Sequence, residues 1–483
     1  MGAAFLKTAR TARAVFPVTR PLKKKGVSLP STRMACGKPG CGKRIARGNA
    51  ARPETLPPSA IVAERRKKKE TTITTLKERF LRYVSFPTTS DENSPACPST
   101  PRQRDCARAL ADELAGLGMD KVKLDADGYV YARLPATPGR ENSAPVGFIA
   151  HMDTAPDFSG ENVKPQIIEN YDGGDVRLPG SGAMLTVREF PHLRELRGRT
   201  LVTTDGTTLL GADDKAGIAE IMTALERIIA EKIPHAELWV AFTPDEEIGR
   251  GADRFSLRDF PARYAYTVDG DVEGGLEYEN FNAAAAEITV KGKSVHPGSA
   301  LGIMKNAGLL AAEFALALPP EETPARTSGR QGFFHLTEIT GGVSGAKMHY
   351  LIREHDKRIF AARQEKLQAL VREFNQKHGD GTFTLKITPS YANMREVLDK
   401  HPEVLERARV AIRAAGLEPV EKPVRGGTDG AALSFKGLPC PNLGTGGHAF
   451  HGPFEHITLE GMEKAVEIII NIARAEDAAA GRA

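Results

Sequence analysis

Cysteine is scarce in this chain. Five are present among 483 residues, at positions 36, 41, 97, 106 and 440, too few and too scattered for a disulfide scaffold, which points to a reducing compartment and a cytoplasmic protein. Tryptophan occurs once and aromatic residues make up only 6%. No apolar run approaches the roughly 18 residues that a membrane-spanning helix needs, so no membrane partner is expected. Several enzyme signatures are missing as well: there is no Gly-x-Ser-x-Gly elbow, no His-Glu-x-x-His and no Gly-x4-Gly-Lys-[Ser/Thr] phosphate loop. Gly341-Gly342 and Gly426-Gly427 are glycine turns without the strand–helix frame of a dinucleotide site.

Acidic residues are almost absent from the first 70 positions. That stretch holds 18 Lys and Arg against three acids, a net of +15, which leaves −10 for the remainder although the whole chain sums to +5. The basicity belongs to a leader, not to the body, so a nucleic-acid partner is conceivable only for residues 1–70. With Lys23-Lys24-Lys25, Arg65-Arg66-Lys67-Lys68-Lys69 and no sustained apolar period, the leader reads as disordered and non-catalytic. Four meanings stay open for it: a mis-assigned start, an Arg-rich presequence, a nucleic-acid-binding arm or an inert tail. Cys36-Gly-Lys-Pro-Gly-Cys41 resembles half of a zinc ribbon, but no second pair lies nearby.

From about residue 71 the pattern becomes that of a folded α/β protein. Helices are expected over 71–84 and 102–117, short strands over 122–134, and then three buried strands at 146–151, 237–242 and 264–268, each ending in His or carboxylates. In open α/β sheets, ligand sites gather at such strand ends. A loop with a small hairpin is expected over 153–205. Ile218, Ile221, Met222, Leu225, Ile228 and Ile229 then mark one face of a helix. Residues 282–394 change character, reading strand, helix, strand, strand, helix, strand, the βαββαβ order of a ferredoxin-like unit. Helix returns over 402–416, a short strand over 439–443 and a last amphipathic helix over 459–475. The expected division is therefore a leader (1–70), a discontinuous first domain (71–281 and 395–483) and an inserted lid (282–394).

The polar residues at the strand ends carry the chemistry. Asp213 and Asp214 stand together at the mouth of a buried helix, where two carboxylates are costly unless a cation neutralises them; the plainer reading is a helix cap. His151 and Asp153 share one face of a strand end, as a metal-ligating His and its orienting carboxylate would. Glu246-Glu247 presents one acid to ligate and one left free as a base. Asp269 ends a third strand, while Asp271 also fits ordinary turn chemistry. His448, His451 and His456 crowd nine residues of a chain holding twelve His. Two His with several carboxylates suit Zn²⁺, with Mn²⁺ or Co²⁺ as substitutes, and the set points to hydrolysis.

The segments HMDTAPD (151–157), GADDKAGIAEI (211–221), TPDEEIGRGAD (243–253), VDGD (268–271), KSVHPGSA (293–300) and RGGTDGAALSFKGLPCPNLGTGGHAFHG (425–452) resemble the peptidase T group of the di-zinc exopeptidases. These are tripeptide aminopeptidases in a family that also holds aminoacylases and succinyl-diaminopimelate desuccinylase, and the resemblance runs from about 71 to 475. It implies a mixed-sheet catalytic domain with an inserted lid through which a homodimer forms. It further implies two zinc ions bridged by Asp213, one completed by His151 and Asp269 and the other by Glu247 and His451. Glu246 becomes the general base, Asp153 supports His151, and the Asp213–Asp214 peptide is cis. His296 of the lid is implied to reach the oxyanion, Arg353 to grip a substrate carboxylate, and Asn306 to contact substrate. The chain departs from the pattern at Leu301, where a lysine is usual, and at His448-Ala-Phe-His451, where His448 competes with His451. A dipeptidase, a carboxypeptidase or an N-acyl amino acid hydrolase would show the same ligands, and a metal-dead binding protein is the alternative outside enzymes.

Overall fold

A computed structural model of the protein describes residues 74–475; the basic leader and the Cys36–Cys41 pair lie outside them. Helix α1 (Leu76–Val84) opens on a capping box: Thr75 Oγ1 accepts from the Glu78 amide, and the Glu78 carboxylate accepts from the Thr75 amide. Then come α2 (Gln103–Gly116), the strands β1 (Asp120–Leu124), β2 (Val130–Leu134) and β3 (Val146–His151), and the helix α3 (Ala212–Glu231). The strands β4 (Leu238–Thr243), β5 (Tyr264–Gly270) and β6 (Leu276–Glu277) follow. The next stretch runs β7 (Asn282–Lys291), α4 (Ala307–Leu316), β8 (Phe333–Gly341), β9 (Gly345–Glu354), α5 (Lys357–His378) and β10 (Phe383–Tyr391). The chain closes with α6 (Pro402–Ala414), α7 (Asp429–Phe435), β11 (Asn442–Gly444) and α8 (Leu459–Arg474).

The main sheet has seven strands in the order β1-β2-β4-β3-β5-β11-β6. Of its five inner strands, β4, β3, β5 and β11 run parallel, while β2 and the two edge strands pair antiparallel. Both faces are covered, so the parallel strands read as continuous apolar runs. On β3, Val146, Phe148 and Ala150 enter a core shared with α1, α2, α3, α6 and α8, while Ile149 enters a second core with Tyr129, Tyr131, Trp239 and Leu433. Period-two alternation divides the strand between the two layers.

Helix α3 departs from the one-faced expectation. Its predicted apolar face is buried, but the opposite side is covered too, by α1 and α8. There the buried Arg79 of α1 meets Thr223 (3.3 Å) and Glu226 (2.8 Å). The segment 153–205 is also more ordered than its composition implies. The expected hairpin pairs Val176–Arg177 with Met184–Leu185. Two further three-residue strands, Gln166–Ile168 and Leu201–Thr203, join His456–Thr458 and Gly447–His448 in a four-stranded antiparallel sheet. Strands this short leave no periodicity to read, and their partner lies some 250 positions away.

The βαββαβ order of residues 282–391 is present. Its four strands form a separate antiparallel sheet, β8-β9-β7-β10. Ala284, Ala286, Ile288 and Val290 of β7 pack there with Phe314 of α4 and Leu367 and Phe374 of α5, in a core of their own. No helix among the described residues is long and apolar enough to cross a membrane.

Candidate metal centre

Three neighbouring parallel strands deliver three of the expected ligands at their C-terminal ends. His151 is the last residue of β3, Glu246 and Glu247 sit in a 3-10 turn just after β4, and Asp269 lies near the end of β5. Asp213 enters from the non-helical first turn of α3, where the Asp213–Asp214 peptide is cis. His451 arrives from the C-terminal tract. The side chains meet: His151 Nε2 is 2.9 Å from Asp213 Oδ1 and 3.3 Å from Asp269 Oδ1. His451 Nε2 is 3.1 Å from Asp213 Oδ2 and 3.0 Å from Glu247 Oε2. Asp213 thus stands between two imidazoles, one on each oxygen.

Asp153 holds this arrangement from beneath. Its two carboxylate oxygens accept from the amides of Glu246 (3.0 Å) and Glu247 (3.2 Å). His151 Nδ1 lies 3.1 Å from the Asp153 carbonyl and 3.4 Å from its Oδ1. Facing acceptors only, Nδ1 keeps a proton, and in a neutral ring the Nε2 lone pair turns toward Asp213 and Asp269.

The electrostatics are those of a site built around positive charge. Burial alone would lower the His151 imidazole, but Asp269, Asp153 and Asp213 hold it well above its usual value. Hydrogen bonds to Asp213 and Glu247 raise His451 to about 11. Asp213 is kept low by the two imidazoles in spite of burial. Burial, with Asp213 adding to it, pushes Glu247 to about 8, and burial pushes Asp269 to about 6. Burial and the Asp269 charge take Glu246 well above the ordinary carboxyl range. Two imidazoliums do not neutralise this crowd of buried acids, whereas divalent cations would reverse the local balance. Glu247 Oε1 is buried without a hydrogen-bond partner among the described residues, an oxygen left for a ligand. Donor atoms of His151, Asp213 and Glu247 lie within 4.8 Å of one another. The residues fit a divalent metal.

A second trio within the same limit pairs His151 and Asp269 with Asp214. Asp214 is the poorer ligand, because its oxygens already accept from the amides of His151 (3.1 Å) and Gly217 (3.2 Å). Gly217 itself allows α3 to press against β5: a Cβ there would sit 1.9 Å from the Val268 carbonyl.

The remaining expected residues stand apart from the cluster. His296 is exposed and its Nδ1 accepts from the Gly298 amide (3.1 Å). Asn306 caps α4, its Oδ1 accepting from Gly308 and Leu309, a role that an Asn ahead of an apolar helical run already signals. Arg353 is half-buried beside Tyr391. His448 stacks on His192, ring centroids 4.1 Å apart, and among the described residues no hydrogen bond or ion pair ties it to Asp213 or Glu247, where His451 sits. The Asp271 carbonyl accepts from the Gly446 amide (2.9 Å).

Two further acids carry the site although no role was expected of them, Glu455 just outside the quoted motifs and Asp429 within the last of them. Glu455 is fully buried, and its carboxylate accepts from the amides of Leu210 (2.7 Å), Gly211 (2.8 Å) and Asp213 (3.0 Å), gripping the turn that presents Asp213. Burial raises it to about 7 against the pull of those amides. Asp429, at the start of α7, donates its amide to Glu246 Oε1 (3.2 Å) and accepts from Thr243 Oγ1 (2.8 Å).

This fold and donor set are those of a metallopeptidase. The profile of Peptidase family M20/M25/M40 matches residues 204–475, a span that includes Asp213, Glu246, Glu247, Asp269 and His451 and begins after His151. The chain belongs to this family and is a metal-binding peptidase. Among its relatives, Peptidase T of Caldanaerobacter subterraneus subsp. tengcongensis is 53% identical over 397 residues, 82% of this chain and 97% of the relative. Peptidase T of Aeromonas hydrophila is 52% identical over 402 residues, 83% and 98%. Among solved structures, aminopeptidase PepT from Bacillus cereus superposes with a TM-score of 0.65 at 22% identity, over 83% of this chain and 97% of that one. A dinuclear metal-binding M20 peptidase from Bacillus subtilis gives 0.56 at 15%, over 83% and 96%.

Proposed function

We propose that the protein is an aminopeptidase that removes the N-terminal residue from tripeptides, with Glu246 as general base beside two zinc ions. The observation that carries the reading is the meeting of five donors, His151, Asp213, Glu247, Asp269 and His451, with Asp213 facing one imidazole with each oxygen. The relatives named Peptidase T support the tripeptide substrate. In this reading His151 and Asp269 would hold one ion, Glu247 and His451 would hold the other, and Asp213 would serve both. Residues 71–281 and 395–483 form the catalytic domain, and 282–394 the lid, through which two copies pair. The three free cysteines among the described residues accord with a cytoplasmic location.

Bound divalent ions supply Lewis acidity, which lowers the pKa of water and polarises the scissile carbonyl. Glu246 does the proton work. The Asp429 amide occupies its Oε1, leaving Oε2 to take a proton from the attacking water and pass it to the leaving amine. Asp153 keeps Glu246 and Glu247 in register by holding both amides. Arg353 meets the terminal carboxylate through its planar fork, which a lysine cannot copy. His296 donates to the developing oxyanion once the lid closes, and Asn306 stays with the lid as the cap that shapes its loop.

Separating base from ligand tests the reading. Glu246→Ala should keep near-normal metal content and lose at least about 100-fold in kcat, whereas Asp213→Ala should lose both metal and turnover. Equal metal loss in the two variants would overturn the assignment. A panel of di- and tripeptides and N-acyl amino acids then fixes the substrate class; preference for acylated amino acids would favour the hydrolase alternative.

A further inference from the structure

The sheet of β8, β9, β7 and β10 sets one aromatic ring between Arg353 and the catalytic loop. Ala283 of β7 pairs with Arg353 of β9 on one side and with Tyr391 of β10 on the other. Directly paired residues project from the same face of a sheet. The methyl group of Ala283 leaves the space above it to its two neighbours, and the Arg353 Cζ lies 5.3 Å from the centroid of the Tyr391 ring, within cation–π range. One nitrogen of the guanidinium is tied down: Nη1 donates to the carbonyls of Ala284 (3.3 Å) and Ile352 (3.0 Å). Among the described residues Arg353 pairs with no carboxylate, and a half-buried cation so placed calls for an anion from elsewhere.

The ring also rests on the catalytic half. A Cβ at Gly427 would lie 2.9 Å from Tyr391, so only glycine lets the ring sit this close. Two residues on, the Asp429 amide holds Glu246 Oε1. Burial raises the Tyr391 phenol, Arg353 opposes the rise, and the Glu246 charge adds to it, so both charges act on this ring.

We propose that Tyr391 is a specificity-determining positioning residue: its ring fixes the Arg353 guanidinium at a set distance from Glu246, so that the pair recognises the free C-terminal carboxylate of a short peptide. This rests on the reading of Arg353 as the carboxylate clamp given above. A ring wedged against Gly427 cannot drift, whereas the arginine side chain by itself has several rotatable bonds. The distance from clamp to base, and with it the length of peptide that fits, is therefore set by Tyr391.

The test uses the full chain loaded with metal and two substrates, a tripeptide and its C-terminally amidated analogue. Tyr391→Leu should raise KM for the free tripeptide about 3- to 30-fold, the range of a cation–π contact, and leave KM for the amide unchanged. Tyr391→Phe keeps the ring and should retain the discrimination. Arg353→Lys combined with Tyr391→Leu should discriminate no worse than Arg353→Lys alone, since both act on one interaction. If Arg353→Lys leaves the two substrates equally affected, the clamp reading itself falls. If Arg353→Lys is selective but Tyr391→Leu shifts both substrates alike, or changes kcat only, the clamp stands and the role given to Tyr391 is wrong. Melting temperature and metal content, compared with wild type, show whether Tyr391→Leu disturbs the Gly427 loop as a whole; selectivity retained by Tyr391→Phe but lost with any smaller side chain still supports the role, and selectivity lost in Tyr391→Phe overturns it.

Discussion

Replacing Glu455 by Gln changes one atom and no volume, yet it should loosen the metal centre. Glu455 touches no expected ligand side chain; it holds the backbone that presents one. Its Oε2 accepts from Leu210 and Gly211, and its Oε1 from Asp213. A glutamine can keep its oxygen on the first two amides, but its NH₂ then points at the Asp213 N–H, donor against donor. Leaving that buried N–H unpaired costs about 1–3 kcal/mol, and the other two bonds lose their charge-assisted share, about 1 kcal/mol each. Part of this appears as lower stability and part as a less well-placed Asp213. Loss of an outer-shell partner typically lowers metal affinity about 10–100-fold. The assay is metal retention against a graded chelator, with thermal melting in parallel and kcat at saturating metal. Affinity should fall by that factor, while kcat with metal restored falls far less than in Glu246→Ala, because the base is untouched. Affinity within twofold of wild type at an unchanged melting temperature would refute the idea that the amide cradle positions Asp213.

Two predictions concern stability away from the metals. Arg79 is buried against Glu113 and Glu226, both at 2.8 Å; Glu113 keeps Arg82 and the Tyr83 hydroxyl, but Arg79→Ala strands the buried Glu226 and should cost about 3–5 kcal/mol in denaturant unfolding; a loss under 1 kcal/mol would mean that Glu226 finds water. Both carboxyl oxygens of Glu220, on the covered side of α3, are buried without a hydrogen-bond partner among the described residues, and burial, with Glu463 adding to it, raises this carboxyl well above its usual value. The folded state then holds a proton that the unfolded chain has lost, so its contribution is present below the unfolded pKa of about 4.3 and is lost as pH rises toward the folded value. Glu220→Met should stabilise by about 1–3 kcal/mol at pH 8 and by less at pH 5, and a gain that does not grow with pH would contradict this account.

The order of elements was open to reading because it rests on local periodicity. Strands at 146–151, 238–243 and 264–270 are mainly apolar and lead into His or acids, and the βαββαβ stretch alternates periods of 2 and 3.6. His151, Asp213, Glu246, Glu247, Asp269 and His451 could be named in advance for the same reason: each sits beside a recognisable strand end or glycine turn, or in a family motif. The burial of α3 on all sides was not legible, because α1 and α8, which cover it, lie far away in sequence.

What the sequence alone determined, then, is which side chains stand at the strand ends, because a strand's length and a turn's glycines are local properties. What only the tertiary structure decided is which backbone amides and rings those side chains meet. Glu455 is one acid among 61 Asp and Glu until Leu201–Thr203 pairs with His456–Thr458 and brings it under the Asp213 turn, more than 240 positions away. Asp429 becomes a partner of Glu246, and Tyr391 a neighbour of Arg353, through sheet register and helix placement that no single segment encodes. His296 is the converse case: the motif names it, the fold holds it on an exposed loop, and the role proposed for it depends on closure of the lid. A hydrogen bond between distant segments depends on the packing of everything between them, and that information is spread over the whole core.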